Sequence, residues 1–151
     1  CERIKALYAI SCLTRECAEA QDAFVYCDGF SSLLRVLQSS IDKLKIKASF
    51  LLTCLCNENP TFKDTLCNMG FVEQFVALLQ RDHDSTHEHL LTLTHSHPPS
   101  IEECRRSEFL FREFLDNRLE LIGDRDECLE EFEYCRTLLS VIFKEDIVED
   151  R

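Results

Sequence analysis

Apolar residues recur every three or four positions along most of the chain, the spacing that places them on one face of a helix. The stretch Ile41 to Asn57, IDKLKIKASFLLTCLCN, shows the pattern most fully. Leu44, Ala48, Leu51, Leu52 and Leu55 form an apolar stripe, and Ile46 and Phe50 widen it beyond what one neighbouring helix can cover. Such a helix is expected to be packed on several sides, and Pro60 stops it. It has a copy upstream: ALYAISCL (Ala6 to Leu13) and ASFLLTCL (Ala48 to Leu55) match in residue type at every position but the second, at an offset of 42.

The remaining elements fall around that copy. Residues 1–17 predict a first helix with Ile4, Leu7, Ile10 and Leu13 as its stripe and Ala6 and Ala9 beside it. Residues 18–28 predict a short helix ended by Gly29, a residue suited to the left-handed turn. Phe30 to Gln38 predict a second short helix before the long one. The order then repeats. Thr61-x-x-Asp64 reads as a capping box; TFKDTLCNMG ends at Gly70, 41 residues after Gly29; FVEQFVALLQ repeats the second short helix. Ser85-x-x-Glu88 reads as the capping box of a third long helix, in which Leu91 and His95 stand 41 residues after Phe50 and Cys54. Short-short-long triplets with a period near 41–42 are the signature of an armadillo or HEAT-type α-solenoid, whose units bury their apolar faces only by stacking.

Residues 98–151 leave the period. Pro98-Pro99 halts the third long helix and Ser100-x-x-Glu103 is expected to cap a short one. A helix over 107–122 carries Phe111, Leu115, Leu119 and Ile122, and Gly123 breaks it. A helix over 124–143 sets Cys128, Phe132, Cys135, Leu139 and Ile142 against an acidic face of Asp126, Glu127, Glu130, Glu131 and Glu133. One-sided polarity is what a terminal capping unit needs. The expected architecture is therefore all-α: a right-handed armadillo-type solenoid in one domain, 1–151. It divides into 1–17 as the end of a truncated repeat, 18–60 and 61–100 as repeats, and 101–151 as capping helices and an acidic tail.

Charge and cysteine content narrow the function. The net charge is −11, and residues 101–151 hold eight basic and sixteen acidic groups against nine and twelve in residues 1–100. That balance argues against nucleic acid and anionic membranes as partners. No apolar run reaches the roughly 18–20 residues of a membrane span. Ten cysteines in a chain with few loops and helical periodicity read as reduced thiols acting as small apolar residues, Cys12, Cys54, Cys67, Cys128 and Cys135 among them.

KLKIKASFLL, LCNMGFVEQFVALLQ and the following HEHLL resemble the core domain of the Hsp70-binding / Fes-type nucleotide exchange factors, armadillo-repeat cochaperones of the seventy-kilodalton heat-shock protein. The resemblance runs in order through most of the chain. It implies binding to the chaperone's ATPase domain, promotion of ADP release, no enzymatic activity and no cofactor, a monomeric state, and a cytoplasmic location rather than the endoplasmic-reticulum lumen. It also implies that an amino-terminal part of the core precedes this sequence. Where armadillo helices commonly place a Trp- and Asn-type pair on the concave side, this chain has Tyr8/Cys12, Phe50/Cys54 and Leu91/His95.

Registering the long helices on those positions gives three rungs expected to line the concave face: Lys5, Tyr8, Cys12 and Arg15; Lys43, Lys47, Phe50, Cys54 and Asn57; and Glu88, Leu91 and His95. Two rungs are basic around an aromatic in an otherwise acidic chain, suited to gripping an acidic protein lobe. A generic armadillo scaffold is the alternative, though the ladder lacks the Asn side chains that clamp an extended peptide. Among the histidines His83, His87, His89, His95 and His97, His83 and His87 stand four apart, but Ser85 as N-cap puts His83 outside the helix and no CxxC pair lies nearby; they are expected to be exposed near a helix start, and no metal is assigned. No Gly-rich phosphate loop or activated nucleophile is present.

Overall fold

The computed structural model describes residues 2–81, 86–95, 97–123 and 128–143, without the side chains of Glu88, Leu91 and His95. All regular structure among them is helical. In order the helices are α1 (Glu2–Thr14), α2 (Ala18–Tyr26), α3 (Gly29–Leu37), α4 (Asp42–Glu58), α5 (Thr61–Asn68), α6 (Phe71–Leu79), α7 (Thr86–His95), α8 (Pro98–Cys104), α9 (Phe111–Ile122) and α10 (Leu129–Phe143). The all-α expectation holds. Asp126, Glu127, residues 144–151 and the Ser85-x-x-Glu88 capping box lie outside the described residues.

α4 is the centre of the molecule. It packs against α1, α3, α5 and α7. Leu44, Ala48, Leu51, Leu52 and Leu55 are all at most 2% exposed, each leucine contributing on the order of 1.5–3 kcal/mol by leaving water. Ser49, Thr53 and Cys56 are buried as well. The two hydroxyls tolerate this because Ser49 donates to Ile46 O at 3.0 Å and Thr53 to Ser49 O at 3.0 Å, so no buried donor is left unmade. Only one strip of α4 faces outward, and Phe50, expected to widen the apolar stripe, belongs to it.

Burial repeats at 42, not 41. Asp28 and Gly70 are the left-handed residues that start the second short helix of each triplet, with φ of 55° and 72°. Leu33 and Phe75, Leu37 and Leu79, Ala48 and Leu90, and Leu51 and Leu93 are buried pairs at that spacing. Gln38 and Gln80 close α3 and α6 in the same way. Gly29 therefore does not make the turn assigned to it. It opens α3, where a Cβ would stand 2.4 Å from Phe24 Cε2. Its missing side chain gives Phe24 room, and Asp28 takes the left-handed conformation with its carboxylate accepting from Ser31 Oγ at 2.6 Å.

Three further starts differ from expectation. Pro60, not Thr61, precedes α5, and Thr61 Oγ1 bonds the Asn59 side chain at 2.6 Å instead of capping. Pro98 and Pro99 begin α8 as well as ending α7. Having no N–H, they leave Ser100 as the first donor of that helix, and His97 caps it by accepting from Ser100 N at Nδ1, 3.3 Å away. Leu110, at φ 48°, separates a 3-10 turn (Ser107–Phe109) from α9, so that helix starts later than the periodicity of 107–122 suggests.

The C-terminal helices close one end: α8 packs on α6 and α7, and α10 on α8, α7 and α9. Cys135, Leu138, Leu139 and Ile142 are buried beneath α10, while Cys128 and Phe132 are half-buried. Glu131 is not on a solvated acidic face; it accepts from Arg118 Nε of α9 at 2.6 Å. At the other end Leu13 is 69% exposed, and Ala6 and Ala9 are exposed beside it. α1 buries Leu7 and Thr14 instead, against α2 and α4.

Candidate protein-docking face

The three long helices lie in a row, α1 against α4 and α4 against α7. With a repeat of 42, residues of equal role stand at Lys5, Lys47 and His89, and at Tyr8, Phe50 and Thr92. Cys12 pairs with Cys54 and Arg15 with Asn57 in the same way.

The first two rungs reach solvent together. Lys5, Tyr8, Cys12 and Arg15 are exposed, Tyr8 by 69%. Lys43, Lys47, Phe50 and Asn57 are exposed, Phe50 by 46%, and Cys54 is half-buried between them. Helical geometry explains the set. The buried residues of α4 occupy the rest of its circumference, so positions 43, 47, 50, 54 and 57 share what remains. The carboxylate of Asp42 is held by Lys45 at 3.1 Å on a neighbouring flank.

The third rung is changed by the register. The calculated counterparts of Lys47 and Phe50 are His89 and Thr92, which the 41-residue offset passed over. Carrying the 42 of the ALYAISCL and ASFLLTCL copies one step further finds them. Thr92 is exposed and His89 half-buried. His89 meets the Phe50 ring edge to face, centroids 5.9 Å apart, joining α7 to the α4 rung. The assignments to Glu88, Leu91 and His95 fall on side chains outside the described residues.

The stripe is bounded at one end by Glu58. Its Oε2 accepts from Glu16 N at 2.9 Å and from Gln21 Nε2 at 2.8 Å. Gln21 is buried, and its Nε2 also donates to Thr14 O at 3.0 Å. This carboxylate ties the end of α4 to the α1–α2 turn, where Glu16 is left-handed. Burial, then the charge of Glu58, push the Cys54 thiol up, opposed in part by Arg15 in the turn after α1. The exposed face thus carries Lys5, Arg15, Lys43 and Lys47 around Tyr8 and Phe50.

His87 and His97 are buried, at 3% and 8% exposure, contrary to their expected place at an exposed helix start. His97 Nδ1 lies 2.7 Å from Ser100 Oγ and its Nε2 3.1 Å from Asp64 Oδ1. That chain of Ser, His and Asp has the membership of a hydrolase triad, but Ser100 lines a gap of only about 10 Å³, without room for a substrate. Its evident work is structural, since the imidazole caps α8 and links it to α5. Among the described residues, no three His, Cys, Asp or Glu side chains converge as a metal site. No described helix is long and apolar enough to cross a membrane. Nine cysteines lie among the described residues, all as free thiols; Cys56, Cys104 and Cys135 are buried and Cys12 is exposed.

Comparison with known proteins bears on the exposed face. The mouse and human proteins named Hsp70-binding protein 1 are each 43% identical to this chain over 145 residues, 93% of its length. The chain is a homologue of Hsp70-binding protein 1. The rat protein of that name is likewise 43% identical over the same length. The chain spans about two-fifths of these relatives, 41% of the mouse and 40% of the human protein. No family model matches it. The resemblance carried by KLKIKASFLL and LCNMGFVEQFVALLQ thus agrees with homology to Hsp70-binding protein 1 along nearly the whole chain.

Proposed function

We propose that this chain is an armadillo-type cochaperone domain that binds the ATPase domain of an Hsp70 chaperone and promotes ADP release. The carrying observation is the exposed basic and aromatic strip Lys5, Tyr8, Arg15, Lys43, Lys47 and Phe50 in a chain of net charge −11 whose relatives are named for binding Hsp70. The row of α1, α4 and α7, each following two short helices or standing at the chain start, supports the armadillo arrangement. Docking leaves the fold unchanged: the strip is already solvent-facing, and its lysines are not needed for packing.

The mechanism is differential binding. A protein that grips an opened form of the ATPase domain more tightly than the closed form shifts the population toward opening. By reciprocity, ADP must then weaken its binding by the same factor. No bond is made or broken and no cofactor is required, so the domain acts as a monomeric regulator, not an enzyme, and works in the cytoplasm.

The test combines binding and exchange. Lys43→Glu with Lys47→Glu should weaken capture of the ATPase domain by about tenfold or more, because opposed rim charges act on association and specificity. The thermal midpoint should barely move, since both positions are exposed. Stopped-flow release of labelled ADP should be accelerated by the wild type. Undiminished binding by the variant would remove the strip as the docking face. No acceleration by wild-type chain that demonstrably binds would remove the exchange activity.

A further inference from the structure

The row of long helices does not stop at α7. His87 and His89 are two residues apart, so they stand about 200° apart around that helix. His89 meets Phe50 of α4, and His87 meets the Tyr134 ring of α10 edge to face, centroids 5.6 Å apart. α7 therefore lies between α4 and α10. Buried residues carry the register across. Ala48, Leu90 and Cys135 are one buried set and Leu51, Leu93 and Leu138 another, spaced 42 residues from α4 to α7 and 45 from α7 to α10.

That register decides what α10 presents beside the strip. Glu130 and Thr137 stand where Lys43 and Phe50 stand on α4. With Glu133 they occupy the side of α10 opposite its buried residues. Glu130 is exposed and has no partner among the described residues. The Glu133 side chain is 62% exposed and meets Arg136 only at 4.0 Å. Arg136, the only base among the described residues of α10, has its guanidinium over the Phe132 ring. The outward side of the row thus changes sign: lysines and an arginine on α1 and α4, the neutral Thr92 on α7, carboxylates on α10.

Two lengths decide whether this matters to a partner. Neighbouring helices pack about 8–10 Å apart, which puts α10 roughly 20 Å from α4. The Debye length at physiological salt is about 8 Å, so the carboxylates on α10 do not cancel the lysines on α4. An ordinary interface covers about 800 Å² on each partner, a patch roughly 30 Å across, and that spans the row from α1 to α10. A partner with a uniformly acidic surface would be held at one end of the row and repelled at the other.

We propose that the docking face is two-signed: the partner that sets an acidic patch against α1 and α4 also sets a basic patch, roughly 20 Å away, against Glu130 and Glu133 of α10. This rests on the docking role proposed for Lys43, Lys47 and Phe50, and it adds a direction. The two charges admit the partner one way along the row and oppose the reverse placement.

Capture of an Hsp70 ATPase domain by the full chain, followed by surface plasmon resonance, tests this. Glu130→Lys with Glu133→Lys should weaken capture about tenfold, mainly through slower association, and Glu130→Lys alone about threefold. Glu113→Lys with Glu120→Lys, exposed on α9, makes the same change in net charge away from the row and should leave capture unchanged. Far-ultraviolet circular dichroism checks that each variant stays folded; Glu130→Lys breaks no contact within the chain. Capture that is unchanged or tighter in both α10 variants, yet lost in Lys43→Glu with Lys47→Glu, would overturn the two-signed face and leave the basic strip standing. Equal weakening by the α9 and α10 pairs would also overturn it, since net charge alone would then be responsible. No capture by the wild type would remove the strip reading itself, and this inference with it.

Discussion

Gly29→Ala probes the turn where pattern and structure disagree. If Gly29 were the left-handed residue between two short helices, alanine would cost about 1–2 kcal/mol through its backbone alone, whatever its neighbours. In the structure the cost arises from a neighbour. A Cβ at position 29 would lie 2.4 Å from Cε2 and 2.5 Å from Cζ of Phe24, far inside contact. That ring cannot swing away cheaply. It meets Phe30 edge-on at 5.4 Å, and Phe30 meets Phe62 at 5.3 Å. Overpacking of this kind costs about 1–3 kcal/mol. Alanine's better helix propensity returns at most about 1 kcal/mol. A net loss of up to about 2 kcal/mol follows, or up to about 4–8 °C in Tm for a chain of this size.

The decisive assay is a double-mutant cycle in urea, followed by circular dichroism. With Phe24→Leu as background, the ring that collides is gone, and Gly29→Ala should become neutral or mildly stabilising. The coupling energy between the two sites should reach about 1 kcal/mol or more. An equal cost of Gly29→Ala in both backgrounds would refute the close approach and restore the backbone explanation.

Other substitutions and conditions read other joints. Glu58→Ala should destabilise by about 1–2 kcal/mol, since its carboxylate holds Glu16 N and the buried Gln21 amide, whereas Glu58→Gln, which keeps an acceptor, should lose less than half of that in the same urea titration. Burial pushes the thiols of Cys56 and Cys104 up to about 12 and that of Cys135 to about 11, from an ordinary 9.0. These groups favour the folded state fully below pH 9, and that contribution fades as pH rises toward 12, because the unfolded chain releases its thiol protons first. Unfolding free energy measured from pH 8 to 11 should fall accordingly, and replacing the three cysteines with alanine should flatten the slope. At pH 8 a thiol-specific reagent should modify exposed Cys12 and Cys27 well before those three.

Much of this fold was legible because its helices are long in period and poor in glycine. The α4 stripe of Leu44, Ala48, Leu51, Leu52 and Leu55 is buried as its spacing implies, and the helical class follows from the same signal. What the pattern misplaced were positions decided by one contact. Gly29 and Gly70 look equivalent in sequence, yet a ring occupies the space beside the first and nothing lies within 4 Å of a Cβ at the second. Thr61-x-x-Asp64 has the letters of a capping box, but Asp64 is drawn to His97 from another helix. Leu13 fits its stripe and is exposed, because burial depends on which elements stand beside α1 and not on its own periodicity. Glu131 reads as surface charge until Arg118 is brought across from α9.

The outward strip of α4 was legible for a different reason. A helix packed by four neighbours has little freedom in what it leaves outside, so the outward residues of α4 are a small and informative set. A single exposed apolar side chain on a solvated face is ordinary, whereas two exposed aromatics at the same position of successive repeats form a pattern. Phe50 is 46% exposed, and Tyr8, its counterpart 42 residues earlier, is 69% exposed. Each is followed four positions later by a cysteine and preceded three positions earlier by a lysine, Lys5 and Lys47. The third rung changes chemistry: His89 and Thr92 stand where a lysine and an aromatic stood before, and His89 turns its ring to Phe50. The basic character therefore belongs to α1 and α4, and it weakens toward α7. A partner gripped here should depend on Lys5, Tyr8, Lys47 and Phe50 far more than on His89, whose replacement by alanine would chiefly free the Phe50 ring. Binding that survived Phe50→Ala and Tyr8→Ala together, but failed with His89→Ala, would place the docking centre one helix further along the row.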